Sequence, residues 1–250
     1  MVNVNNPMLV HVYHGSYDVD GMKVIKEVVA DDYEGIKKFK VRKNTDFGPA
    51  FYLTNRMPQA SMWSVRLDTN GWLCPFVLNL TNLKVLNLDP MHKPPLRWIA
   101  ELVYNRHFKS INDEEWDYIV RNWRKNSTGY DVILGYTADD QYFSIFDDFF
   151  SNNLSFTGLC KVMMLGNLGY QYAVRSHKAY KALTRLKNQK IDKTIWHPRF
   201  LEHQNLAKRQ YEEIRTVHGR NAVDELSFHQ IVSMGIKPED ERVAFPRRLL

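Results

Sequence analysis

Short apolar runs that end in polar or turn-forming residues recur along the first two thirds of the chain. These runs are rich in Val, Leu, Ile and aromatic residues, and most are bounded by Gly, Asn, Asp or Pro, which is typical of β-strands. The pattern predicts six strands, over residues 8–13, 51–54, 76–80, 83–88, 130–135 and 170–175.

Helical signals fall in separate clusters between these strands. Residues 58–65 read as a short helix that follows the strand at 51–54 directly. Asn112 and Glu115 have the spacing of a capping box, which satisfies backbone groups at a helix start. Apolar residues at helical spacing follow that box, namely Trp116, Ile119, Val120 and Trp123.

The uneven spacing of strands and the clustering of helices predict an α+β fold rather than a regular βαβ alternation. The strand-rich character ends near residue 190. Beyond it, residues 199–218 predict a charged helix and residues 227–235 a short one. We therefore expect one domain over residues 1–190 and a helical C-terminal extension over residues 191–250.

The composition is that of a globular protein, with 44% hydrophobic and 25% charged residues in a chain of 250. No apolar run approaches the roughly 18 residues of a membrane span, and the N-terminus has no secretory pattern. Cys74 and Cys160 lie far apart among apolar residues, so we expect buried free thiols. A cytoplasmic, reducing location follows as an expectation.

The net charge of +6 is concentrated in one region. Residues 175–220 hold 12 Lys and Arg against 4 Asp and Glu, a local balance of +8. Ser176 predicts the cap of a helix with inner residues Ala179, Ala182, Leu183 and Leu186. Its solvent face would carry Lys178, Lys181 and Arg185. Such a stripe is either a footprint for a polyanion or an ordinary solvated face, and both interpretations stay open.

Three separated segments carry the candidate chemistry. The first segment is a strand that ends in a polar turn. The second segment is a strand that leads into a helix, and the third segment is a late strand. They are residues 12–16 (Val-Tyr-His-Gly-Ser), residues 46–63 (Asp-Phe-Gly-Pro-Ala-Phe-Tyr-Leu-Thr to Trp) and residues 168–174 (Leu-Gly-Tyr-Gln-Tyr-Ala-Val).

In this order the segments resemble the ADP-ribosyltransferase superfamily, in particular its poly(ADP-ribose) polymerase-like branch with a His, Tyr and Glu motif. The first segment carries the His-Gly-Ser of that branch, and the second carries its Phe-Gly and its Tyr, at Tyr52. Trp63 stands eleven residues after Tyr52, where the branch has a second Tyr, and Gln171 stands in place of Glu. The resemblance covers roughly residues 8–186 and implies a split β-sheet core with flanking helices.

The resemblance implies that NAD binds as the substrate. The backbone of Gly15 would hold the nicotinamide carboxamide, His14 would hydrogen-bond the adenosine ribose, and Ser16 completes the motif. Tyr52 and Trp63 would hold the cationic nicotinamide ring between two aromatic faces, where cation–π attraction favours it.

The third motif position raises a chemical question. A Glu there holds the nicotinamide-ribose 2′-hydroxyl and stabilises the oxocarbenium-like cation, but Gln171 brings no charge and cannot act as a base. Poly(ADP-ribose) elongation is therefore not expected. Three explanations for the glutamine stay open. Asp139 or Asp140 restores the carboxylate from a neighbouring loop, or the acceptor supplies a strong nucleophile. In the third explanation the domain binds NAD without turnover. The competing interpretation, which the sequence favours slightly over catalysis, is that the two aspartates are an N-cap pair for the helix after Gly135.

We therefore expect an ADP-ribosyltransferase that moves ADP-ribose from NAD to a macromolecular acceptor, nucleic acid or protein. An NAD glycohydrolase and a non-catalytic NAD- or nucleic-acid-binding module are the alternatives. The chain is also similar, over residues 52–63 and 130–140, to an uncharacterised bacterial family often encoded beside small partner proteins. That similarity implies a toxin or antiphage role and a neutralising partner. P-loop, dinucleotide-fold and zinc motifs are absent from the sequence, so we expect no metal.

Overall fold

A single mixed sheet organises the structure, a computed structural model that describes residues 8–17, 45–138 and 143–246. Its eight strands within those ranges are β1 (Leu9–Ser16), β2 (Phe51–Thr54), β3 (Gly71–Asn79), β4 (Val85–Leu88), β5 (Val132–Tyr136), β6 (Tyr170–Val174), β7 (Leu183–Arg185) and β8 (Gln189–Ile191). The sheet order is β4-β5-β6-β2-β1-β3-β7, and β8 also pairs with β3. Only the β4–β5 pairing is parallel among these described strands.

Helices cover the sheet in the described part of the chain. They are α1 (Met57–Ser64), α2 (Pro95–Asn105), α3 (Asp113–Asn122), α4 (Phe143–Phe150), α5 (Phe156–Met163), α6 (His177–Lys181), α7 (Lys193–His218) and α8 (Phe228–Ser233). Two 3-10 turns, Leu165–Asn167 and Glu241–Val243, complete the set. The α+β class expected from the strand and helix spacing is confirmed.

The core lies on both faces of the sheet. Ile133 belongs to a large cluster with Trp98, Trp123 and Phe149, whereas its neighbour Val132 belongs to a second cluster. Because successive strand residues point to opposite faces, the two clusters cover opposite sides of the sheet. We call them the large face and the small face; the small-face cluster includes Phe51, Cys74, Phe76 and Tyr180.

All six predicted strands are present, and β2 has the predicted bounds. The greatest difference is in β3, which begins at Gly71 rather than residue 76. A proline such as Pro75 is unusual inside a strand because it has no N–H to donate to a neighbouring strand. Here β7 pairs with residues 76–78 and β8 with residues 71–73, so Pro75 lies between these two short neighbours.

The capping box predicted before α3 is confirmed. Asn112 Oδ1 accepts a hydrogen bond from the Glu115 backbone N–H at 2.9 Å, and Glu115 Oε2 accepts one from the Asn112 N–H at 3.1 Å. The helix predicted at 58–65 is α1, displaced by one residue.

The prediction of a long helix after Ser176 is wrong. Ser176 does cap a helix, since its side chain accepts from Ala179 N–H, but α6 ends at Lys181. Residues 183–185 then form β7 against the edge of β3, where Arg185 pairs with Phe76. Sheet pairing at an open edge outweighs the weak helical preference of this short segment. Lys178, Lys181 and Arg185 therefore do not share one helix face, and Leu186, expected inside, is exposed.

The C-terminal segment packs on the rest of the protein. Its long helix α7 begins at Lys193, six residues before the predicted start, and Pro198 lies inside it. Phe228, Ile231 and Ile236 are fully or almost fully buried in the large-face cluster. The Trp123 indole N–H also donates to the Ile236 carbonyl at 3.1 Å. The division of the chain at residue 190 stays a prediction.

Two smaller expectations concern thiols and membranes. Cys74 and Cys160 are fully buried thiols outside any disulfide, as expected from their apolar surroundings, and burial raises the pKa of the Cys74 thiol to about 11. In the ranges that the structure describes, no helix is both long and apolar enough to span a bilayer.

Candidate functional site

The three segments singled out in the sequence lie on three neighbouring strands. β1 carries His14 and Gly15, β2 carries Tyr52, and β6 carries Gln171, and these strands are consecutive in the order β6-β2-β1. Gln171 pairs directly with Thr54 of β2, and Thr54 pairs with Tyr13 of β1. The fold thus brings together motif residues that are far apart in the sequence.

The junction between β1 and β2 is short. In the described residues, Tyr13 and Thr54 are the one registered pair that joins these strands. Beyond that pair the His14 side chain makes the link, with its Nδ1 at 2.9 Å from the Tyr52 carbonyl oxygen. A gap between strands that is closed by a side chain can open more easily than a continuous ladder of backbone bonds.

The ionisation state of His14 follows from this contact. A carbonyl oxygen only accepts, so Nδ1 carries the hydrogen and the opposite nitrogen Nε2 is left as an acceptor. Burial, with a smaller contribution from nearby Arg66, lowers the pKa of His14 below its usual 6.5. The imidazole is therefore neutral at physiological pH, and Nε2 is suited to accept a hydrogen bond from a ligand hydroxyl.

Gly15 is required by close packing of α1 on β1. A Cβ at this position would lie 2.0 Å from the Ala60 carbonyl oxygen and 3.2 Å from the Ser64 nitrogen. No side chain fits there unless the helix moves. Gly15 therefore has a structural reason to be glycine beside the ligand-binding role that the resemblance implies, and the neighbouring Ser16 is buried.

Tyr52 directs its hydroxyl into the loop that precedes β2. The hydroxyl donates to the Gly48 carbonyl at 2.6 Å and accepts from the Phe47 N–H at 3.0 Å. Burial, with the negative charge of Asp46 nearby, raises the pKa of this phenol far above its usual range. Tyr52 thus stays protonated and fixes the loop that carries Asp46.

Gln171 contacts a carboxylate that the sequence had not marked. Its amide nitrogen Nε2 donates to Oδ2 of Asp46, and Oδ1 of the same carboxylate forms an ion pair with the Arg106 guanidinium. Asp46 is buried, and Gln171 is half-buried. Gln171 lacks the charge of a glutamate, but the carboxylate of Asp46, which accepts its hydrogen bond, carries one.

Trp63 already carries a planar cation on its ring. The Arg66 guanidinium carbon lies 4.2 Å from the Trp63 ring centroid and 4.4 Å from that of Tyr17. Arg66 also donates to the Trp63 carbonyl at 3.0 Å, which holds it in place. At least one face of the half-buried indole therefore suits a flat cation.

The motif side chains divide between the two faces of the sheet. His14 contacts the Phe51 ring at 4.9 Å between centroids, on the small face. Tyr52 packs against the large-face cluster, and Gln171 has the same strand parity as Ala173 in that cluster. The structure therefore brings the backbone of Tyr52, rather than its ring, to His14. That Tyr52 and Trp63 face each other across a cleft stays a prediction.

Asp139 and Asp140 fall outside the described residues, so their catalytic and capping interpretations both stay predictions. Among the residues that are described, no group of three or more His, Cys, Asp or Glu side chains is arranged to hold a metal ion.

Sequence reasoning missed Asp46, Arg66 and Arg106. Asp46 was visible as an acidic residue directly before Phe47-Gly48, but its partner Gln171 is 125 residues away. Arg66 stands three residues after Trp63, one helical turn on, which was a usable signal for a cation–π pair. No pattern in the sequence around Arg106 indicates that it pairs with a site residue.

Comparison with known proteins gives a family without an assigned activity. The model of a family described as "protein of unknown function (DUF3990)" matches residues 10–185. This range runs from β1 to β7 and includes all three segments. No curated protein and no solved structure matches the chain significantly. Because the family model covers more than half of the sequence, the chain belongs to the DUF3990 family.

Proposed function

We propose that this protein is an ADP-ribosyltransferase that binds NAD where β1 and β2 part. The observation that carries the proposal is the adjacency of the three motif strands, of which β1 and β2 share one registered pair in the described residues. Binding would widen the short junction between β1 and β2, so that groups on both faces of the sheet can reach the ligand. His14 would then accept from the adenosine ribose through Nε2, and Gln171 would contact the nicotinamide ribose from the neighbouring strand.

The aromatic surface of the site suits the nicotinamide ring of NAD, which is cationic until the bond to the ribose breaks. NAD carries a flat, positively charged nicotinamide ring, and Trp63 already stacks on the flat cation of Arg66. Arg66 would leave the ring when the nicotinamide binds, which exchanges one cation–π contact for another. Neutral His14 adds no charge that would repel the pyridinium.

The acceptor is proposed from charge alone. The basic region at 175–220 begins where β6 ends and spreads over α6, β7, β8 and α7. Lys178 and Lys181 are exposed at the small-face side of the sheet, near that strand end. A polyanion, either RNA or DNA, suits such a surface, with a protein as the other acceptor. Binding to a nucleic acid should weaken with salt by about one log–log unit per phosphate contact.

A second candidate function is NAD binding without turnover. The observation that favours it is the pairing of Gln171 with a carboxylate that Arg106 already neutralises. In that case NAD would protect the protein against thermal unfolding, but no nicotinamide would be released. A toxin or antiphage role and a neutralising partner belong to the proposal through the resemblance alone, and a cytoplasmic location through the two buried thiols.

The test is incubation of the protein with NAD labelled in the adenosine portion, with and without cell lysate. Transfer predicts free nicotinamide together with label in macromolecules, and treatment with protease or nuclease identifies the acceptor. Nicotinamide release with all label acid-soluble would indicate an NAD glycohydrolase. The His14→Ala variant should lose NAD binding, and His229→Ala, at an exposed histidine, is the matched control. Absence of NAD binding by the wild-type protein would refute the proposal.

A further inference from the structure

The amide of Gln171 has a fixed orientation because of its partner. A carboxylate accepts hydrogen bonds and donates none, so the face that Gln171 presents to Asp46 must be its NH2 group. The carbonyl oxygen Oε1 then points away from Asp46. One of the two N–H bonds of the NH2 group is thus engaged by Asp46, and Oε1 is the acceptor that Gln171 offers on its other side.

The carboxylate itself is held firmly. Asp46 is only 3% exposed, and the Arg106 guanidinium binds its other oxygen. The Asn105 amide donates to the Asp46 carbonyl at 3.4 Å and to the Glu101 carbonyl at 2.8 Å, which ties the loop to α2. Tyr52 holds the same loop through Gly48 at 2.6 Å. Asp46 therefore cannot turn away from Gln171 without breaking several contacts.

We propose that Asp46 is a positioning residue that orients the Gln171 amide so that its Oε1 accepts a hydrogen bond from a ligand hydroxyl. This inference rests on the proposed function, in which that hydroxyl is the 2′-OH of the nicotinamide ribose. Donation of an N–H to an anion also polarises the amide, so Oε1 carries more negative charge than in an isolated glutamine. The pair thereby performs part of the work of a glutamate, namely accepting from the hydroxyl and turning the partial negative charge of Oε1 towards the developing ribose cation.

The first variant is Asp46→Asn, which removes the charge but keeps the shape. The new amide can donate to Gln171 Oε1, so the glutamine is free to turn over and present its NH2 to the ligand. We expect kcat for nicotinamide release to fall by about tenfold or more, and Kd for NAD to change less. Asp131→Asn is the control, because Asp131 is another buried aspartate, bonded to Lys84 N–H at 2.8 Å and to Ser176. It should leave kcat within about twofold of wild type.

The second pair of variants exchanges the partners. Gln171→Glu alone sets two carboxylates side by side, so one proton should be held between them and kcat should show an ionisation above about 4.3, the usual glutamate value. In the double variant Asp46→Asn with Gln171→Glu, the new amide donates to the new carboxylate. We expect that ionisation to move down, and kcat to exceed that of Asp46→Asn. A merely structural role for Asp46 would not move the pH profile in this way.

The outcomes separate the inference from the proposed function. If wild-type protein releases nicotinamide but Asp46→Asn keeps kcat within about twofold, the inference is wrong and the proposed function stands. The inference is also wrong if the double variant is no more active than Asp46→Asn. If the wild type binds NAD without release, the same comparison is made on Kd, and only Asp46→Asn should weaken binding. If it does not bind NAD, the proposed function is what has failed, and the inference falls with it.

Discussion

At the scale of single residues, the neutral state of His14 has a measurable consequence. Because burial lowers the pKa of His14 below 6.5, the unfolded chain takes up a proton before the folded one does as pH falls. The stability associated with this histidine is complete above pH 6.5 and is lost as pH falls below that value. One such group contributes a slope of up to about 1.4 kcal/mol per pH unit.

We expect His14→Gln to flatten the pH dependence of the free energy of unfolding below pH 6.5. The Gln amide can still donate to the Tyr52 carbonyl, so stability at neutral pH should change little. Urea unfolding at a series of pH values measures the effect, and the exposed His229, replaced in the same way, is the control. An unchanged slope in His14→Gln would mean that His14 ionises freely in the folded protein.

Trp63 is the second residue with a sharp expectation. Trp63→Ala removes the ring face that carries Arg66, whereas Trp63→Tyr keeps an aromatic face. We expect the Ala variant to weaken NAD binding by about 1–2 kcal/mol and the Tyr variant by clearly less, because the cation–π contact depends on the face. Titration calorimetry decides between them, with Trp116→Ala on α3 as a tryptophan control. Equal losses in the two Trp63 variants would show that Trp63 serves packing instead.

At the scale of elements, local signals predicted well and long-range pairing did not. The bounds of β2 and the capping box of α3 depend on residues within a few positions of each other, and both were readable. The region after Ser176 failed because β7 forms only in the presence of the β3 edge, more than a hundred residues earlier. The same reason hid the Asp46–Gln171 pair, although each partner lay inside a segment already marked as functional.

The capping box gives the element-scale prediction. Asn112→Ala removes the acceptor for the Glu115 N–H, and we expect the free energy of unfolding to fall by about 1 kcal/mol. Asn112→Asp keeps the acceptor and adds a charge that is favourable at a helix start, so stability should be retained. Thermal and urea unfolding measure both variants. If the Ala and Asp variants were equally destabilised, this hydrogen bond would not be the source of the stability that Asn112 contributes.

At the scale of the whole molecule, the sheet and the C-terminal helices share one core. The sequence placed the helices of the extension but gave no indication of what their apolar faces touch. Phe228 is fully buried, and its ring lies 5.2 Å from Phe150 and 6.3 Å from Trp123 between centroids. The family match ends at residue 185, so the residues that complete this core lie beyond the matched range. The site on β1, β2 and β6 is therefore supported by a core that includes the extension.

This shared core predicts that Phe228→Ala destabilises the whole protein rather than the extension alone. Loss of a fully buried Phe leaves a cavity and costs about 3–5 kcal/mol. In a single cooperative unit that loss reaches every element, so amides at the centre of the sheet, such as Ile133 and Ala173, should exchange hydrogen faster by the same free energy. Val223→Ala, at an 82% exposed position of the same segment, should change neither quantity by more than about 0.5 kcal/mol. The opposite outcome is that the sheet amides of Phe228→Ala keep their protection while those of α8 lose it. The extension would then be a separate folding unit, and this result would support the predicted boundary at residue 190.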